Sequence, residues 1–171
     1  NMNPAKPTKG WDQIMTLPRL LTLISKDEIG IQPAGNIESL RYQHQHISNL
    51  DLPANKEIVL NNIKGNAMEI VAEIDPKDAP MLEINVLRSS KKEEFTRIAF
   101  YKERGFRGIA ANPRYSIISL ETSYSSVLPD VMSRAPESAP VTIKPGEKLS
   151  LRIFIDKSVV EVFVNGRQCV A

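Results

Sequence analysis

The sequence predicts an all-β chain folded as a two-sheet antiparallel β-sandwich, jelly-roll-like in broad outline. Three observations carry that reading. Apolar residues recur with period two over many short segments, Gly, Pro and charged clusters divide nearly every run, and no helical pattern outlasts about two turns. Short strands at that spacing signify a sandwich or a barrel.

Bulk properties agree. A chain of 171 residues suits one domain, and one of that size buries roughly 70% of its unfolded surface. With 42% apolar and 25% charged residues it has an ordinary globular composition. A net charge of +2, with Lys and Arg scattered among Asp and Glu, argues against a nucleic-acid or anionic-membrane partner. No run approaches the ~20 apolar residues that span a bilayer. The chain begins at Asn1, so a leader could have preceded it.

Residues 1–16 are polar and contain Pro4 and Pro7, which reads as a linker or extended arm; residues 17–171 form the sandwich. Trp11, the single Trp, reads as a plug at a core edge, with a sugar-stacking platform as the other reading. Residues 17–24 form a strand whose Pro18 places it at an edge or a strand start, because Pro donates no ladder hydrogen bond. Residues 27–30 look like a turn, and 31–33 and 37–42 like short extended pieces. Arg41 is expected to be an ion-paired structural residue. His44 and His46 share a strand face at a spacing that can hold zinc. No further ligands lie near them in sequence, so a solvated polar face is expected.

From Asn55 the rhythm is regular. Residues 57–63 and 68–74 read as strands, the latter with Met68, Ile70, Ala72 and Ile74 inward. The segment DPKDAP at 75–80 breaks the pattern before Leu82, Ile84 and Val86 resume it. A charged turn at 89–94 precedes a strand at 95–101, a loop at 105–113 and a strand at 115–122. Residues 124–140, with three prolines, read as a long surface loop.

The strongest pattern is at residues 147–171, EKLSLRIFIDKSVVEVFVNGRQCVA. If Asp156 faces Val159, then Ile155 faces Val160, Ile153 faces Val162 and Leu151 faces Val164, and all six share one face. A one-residue slip would bring Glu161 onto it, so the loop holds an even number of residues. Lys157-Ser158 lacks the Gly or Asn that favours a two-residue turn, which leaves a four-residue loop open. Asn165-Gly166 is a strong type I′ signal. Closing there sets Val162 opposite Cys169 and makes the only cysteine a buried structural thiol on the apolar face.

Two motifs carry a family resemblance. The run SLRIFIDKSVVEVFVNGR at 150–167 resembles the C-terminal β-sandwich of glycoside hydrolase family 32, the invertase, levanase and inulinase family. GWDQIMTLPR at 10–19 resembles the stretch with which those enzymes leave their catalytic propeller, and PAGNIESLR at 33–41 echoes a phrase that follows it. The resemblance implies an ancillary sandwich packed on a five-bladed propeller, in an enzyme that cleaves fructosyl bonds by a retaining double displacement. It also implies strands beyond Ala171, so the chain is expected to lack closing strands and to pair through an open edge, as a homodimer or by aggregation.

A retaining glycosidase needs two carboxyl groups about 5–5.5 Å apart. The resemblance implies three acidic residues, in motifs like NDPNG, RDP and EC; the only Asp-Pro here is Asp75-Pro76, preceded by Ile74. Asp156 and Glu161 are expected to be solvated or Arg-paired. No phosphate-cradling loop, nucleophile elbow or metal-ligand spacing is present. Catalytic, cofactor and metal residues are therefore expected to be none. The expected function is that of an ancillary domain of a fructan- or sucrose-hydrolysing enzyme. The alternative is a fructan-binding module, which needs clustered exposed aromatics; only 6% of residues are aromatic, and Phe95, Phe100, Phe154 and Phe163 all lie within strands. Compartment stays open, with the resemblance leaning towards a secreted or periplasmic protein.

Overall fold

A computed structural model describes residues 14–103, 115–132 and 134–171. Trp11, most of the 1–16 arm and the 105–113 loop lie outside the described residues. The described residues form ten strands: β1 Arg19–Ser25, β2 Glu28–Pro33, β3 Ala67–Ile74, β4 Met81–Val86, β5 Thr96–Tyr101, β6 Ser116–Glu121, β7 Glu137–Val141, β8 Leu149–Asp156, β9 Val159–Val164 and β10 Gln168–Val170.

Two four-stranded antiparallel sheets, ordered β10-β9-β8-β3 and β4-β5-β6-β7, form the sandwich, and β1 and β2 make a separate hairpin. The chain changes sheet at the DPKDAP turn, closed by the Ala79 N–H on the Pro76 carbonyl. Pro140 sits on the edge strand β7, where a missing N–H costs no ladder bond. Its carbonyl accepts the Gln168 amide at 3.2 Å, which ties β7 to β10 across the two sheets.

The core lies between the inner faces. Leu149, Leu151, Ile153 and Ile155 of β8 and Val160, Val162 and Val164 of β9 meet Ile98, Phe100, Ile118 and Leu120 of the other sheet, all of them buried. Met68, Ile70, Ala72 and Ile74 of β3 pack against that cluster as their alternation requires. The β8–β9 register pairs Asp156 with Val159, Ile153 with Val162 and Leu151 with Val164, as the hydrophobic pattern demands. The loop holds two residues although it lacks Gly and Asn: Lys157 takes φ +54°, and its N–H donates to the Asn66 carbonyl at 2.5 Å.

Five expectations need correction. The turn before β2 is Lys26-Asp27, and Glu28 to Gly30 belong to the strand. Residues 37–40 form a 3₁₀ turn, because the Ser39 and Arg41 N–H groups bond back to Asn36 and Glu38. Residues 57–63 are not a strand; the Glu57 carboxylate is held by Asn85, Arg88 and Lys92, and the Ile63 N–H folds back on Leu60. Residues 137–141, assigned mostly to a loop, pair with β6 as β7.

The fifth correction concerns Cys169. Asn165 and Gly166 do take the positive φ of a type I′ turn, at +48° and +61°, and the Arg167 N–H bonds the Val164 carbonyl at 2.9 Å. But Gln168, not Arg167, is the register partner of Val164, so Arg167 is an extra residue in the manner of a bulge. The slip sets Val170 opposite Val162 in the core and Cys169 opposite Phe163 on the outer face.

Candidate docking face

The outer face of the β10-β9-β8-β3 sheet carries Glu69, Arg152, Phe154, Glu161, Phe163 and Cys169, alternating with the core residues. An outer face should be wet, yet Glu161 is 3% and Phe163 2% exposed. Residues 14–41 lie over this face as a third layer, fastened at three corners.

At the first corner Glu161 Oε1 accepts the Leu17 N–H at 2.7 Å, and Arg19 stands 3.7 Å from Oε2. At the second, Glu28 pairs with Arg167 at 2.5 Å and with Lys144 at 3.7 Å, while Arg167 also holds Glu147 at 2.6 Å. The Ile31 N–H donates to the Gly166 carbonyl beside them, at 2.7 Å. At the third, Glu69 accepts two hydrogen bonds from Arg41, at 2.6 and 2.8 Å, and a third from Arg152; Arg152 also reaches Glu38 at 2.8 Å.

Electrostatics follow these contacts. The hydrogen bonds from Arg41, with Arg152 adding to them, hold the Glu69 carboxyl below its ordinary range against the opposing effect of burial. Burial pushes the Glu147 carboxyl up, but the Lys144 N–H and Arg167 outweigh it, and the net direction is down. Burial pushes the Cys169 thiol up to about 11, which makes it a poor nucleophile at neutral pH.

The singled-out residues are dispersed. Arg41 is ion-paired, as its sequence context suggested. His44 and His46 are exposed in irregular backbone, their ring centroids 6.3 Å apart. Asp75-Pro76 opens the turn between β3 and β4, and Asp156 ends β8 in solvent. Glu161 is Arg-paired and closed over by its own chain. Among the described residues no group of three His, Cys, Asp or Glu side chains is arranged to hold a metal ion.

Sequence reasoning missed the surface that stands out. On the β1–β2 hairpin, Leu21 pairs with Ile31 and Leu23 with Ile29, so these four apolar side chains share one face, with Arg19 and Pro33 paired at its end. Leu21 is 64% and Leu23 75% exposed, Leu20, Ile24 and Ile29 are also exposed, and so are Met15 and Leu40 of the same layer. Isolated apolar residues on a surface are ordinary, but neighbouring ones such as Leu21, Leu23 and Ile29 mark an interaction site. The signal was present in RLLTLIS, where apolar residues occupy both faces of the strand.

Fold and surface together define a two-sheet β-sandwich that wears an outer layer with its apolar residues turned to solvent. Matching residues 36–171, the family model described as Glycosyl hydrolases family 32 C terminal shows that the chain belongs to that family. It is 27% identical to an acid beta-fructofuranosidase of Vicia faba, over 97% of this chain and 30% of that protein. It is likewise 27% identical to a levanase of Bacillus subtilis, over 96% of this chain and 23% of that one. A sucrose:sucrose 1-fructosyltransferase of Festuca arundinacea is 25% identical, over 96% and 28% respectively. The chain thus spans under a third of the length of these relatives.

Proposed function

We propose that this sandwich is the ancillary domain of a longer fructosyl-transferring or fructosyl-hydrolysing polypeptide, and that the 14–41 layer docks it on the catalytic domain. One observation carries the reading: the apolar face of the β1–β2 hairpin, open in this chain and built on the segment that leads towards its N-terminus. Burying Leu21, Leu23 and Ile29 against a partner would contribute on the order of 1.5–3 kcal/mol each by transfer from water. The sandwich supplies stability and orientation, and the carboxylates of bond cleavage lie elsewhere in the polypeptide. Glu161 supports that division, since its buried oxygens are committed to Leu17 and Arg19.

Titration calorimetry of the chain with fructose, sucrose, levan and inulin, run beside a hydrolysis assay on the same sugars, tests this. Neither heat nor turnover is expected. Saturable heat without turnover would assign sugar binding to the sandwich itself, and turnover would overturn the reading altogether.

A further inference from the structure

The 14–41 layer differs from the sandwich beneath it in how it is held. Among the described residues one backbone hydrogen bond, from Ile31 to Gly166, joins the two. The other fastenings are the three carboxylate corners, the side chain of Gln32 lying against Gly166, and the cover the strap gives to Phe163. Among the described residues no third strand joins the hairpin, and an isolated two-stranded hairpin is marginal in water. The core, by contrast, is continuous through eight strands and does not include β1 or β2.

We propose that residues 14–41 are a strap that opens and melts as a unit while the two-sheet core stays folded, and that Glu161 is its latch. Glu161 is singled out by position and burial. It belongs to the rigid β9, and Oε1 receives the N–H of Leu17 from 144 residues away in sequence. Among the described residues, Oε2 is buried with no hydrogen-bond donor, and the Arg19 guanidinium stands 3.7 Å away. Holding a carboxylate in that state is costly unless its partners stay in place. The strap therefore closes on Glu161 or lets water in; no intermediate position satisfies it. Regions secured by few contacts open locally at a fraction of the global unfolding free energy. The strap's opening stands on these contacts alone, whereas its use as a joint to a catalytic domain rests on the docking reading.

Hydrogen–deuterium exchange of the 171-residue chain at neutral pH tests the proposal, with Glu161→Gln and Leu17→Pro as variants. Leu17→Pro deletes the donated N–H and leaves the buried carboxylate untouched, so it remains informative if Glu161→Gln fails to fold. In the native chain, amides of β1 and β2 are expected to exchange at least ~100-fold faster than those of β8 and β9. Each variant should speed strap exchange about tenfold while β8 and β9 stay within about twofold. Strap protection equal to that of β8 and β9 would overturn the proposal. So would variants that loosen β8 and β9 in step with the strap, or that leave the strap unchanged. The sugar titrations are independent of exchange rates, so a failure of either idea is visible separately.

Discussion

At the scale of single residues, Glu69 shows how a charge can sit on a sheet face without serving chemistry. Its carboxylate is mostly buried and takes three hydrogen bonds from two guanidinium groups. The hydrogen bonds from Arg41 above all hold its folded pKa below that of a free glutamate. The stabilisation it gives is therefore fully present above about pH 4.5 and is lost as pH falls through the lower folded value. Glu69→Gln should cost about 1–2 kcal/mol at neutral pH, the low end for charge-assisted bonds because Arg41 is half exposed. Urea midpoints taken between pH 7 and pH 3 should fall less steeply for the variant than for the native chain. Parallel slopes would mean that Glu69 is not the titrating clamp.

At the scale of elements, the β8–β9 hairpin and the β9–β10 turn give opposite lessons about local and tertiary control. Lys157 holds φ +54° with a side chain that disfavours it, because the hydrophobic register of its two strands admits only an even loop. Glycine there should stabilise the chain by about 0.5–1 kcal/mol, relief of strain outweighing the entropy glycine adds to the unfolded state. Thermal melting would register this as a rise of a few degrees, and a fall would show that the lysine side chain contributes more than its strain costs. In the β9–β10 turn the local signal was correct and the register was not. Asn165-Gly166 forms the expected turn, but Arg167 is drawn into ion pairs with Glu28 and Glu147 and adds a residue to the strand. Val170→Ser should therefore cost about 2–3 kcal/mol by denaturant unfolding, and Cys169→Ser under about 1 kcal/mol. The reverse order would restore the direct two-residue closure.

At the scale of the molecule, legibility followed the hydrophobic period. Strands buried on one face, such as β3, β4, β8 and β9, announced themselves through alternation, because the core that selects those residues is made by the strands themselves. Residues 57–63 alternate too, yet their fate turned on side chains of Asn85, Arg88 and Lys92 far along the chain. The strap was hardest to read, since what selects the leucines of RLLTLIS is not in the sandwich core. That difference yields a two-sided prediction. In the 171-residue chain, Leu21→Ser with Leu23→Ser removes side chains that already face water, so unfolding free energy should change by no more than about 0.5 kcal/mol. In the longer polypeptide that the docking reading calls for, the same pair lies at the junction with the catalytic domain. The loss there should be about 1.5–3 kcal/mol per leucine, visible as a shortened half-life of activity at elevated temperature. The comparison isolates the interface, because folding of the sandwich is common to both measurements. A longer polypeptide as durable as its parent would leave the apolar face without the role assigned to it. An isolated chain weakened by the pair would show instead that these two leucines are already buried within the chain itself.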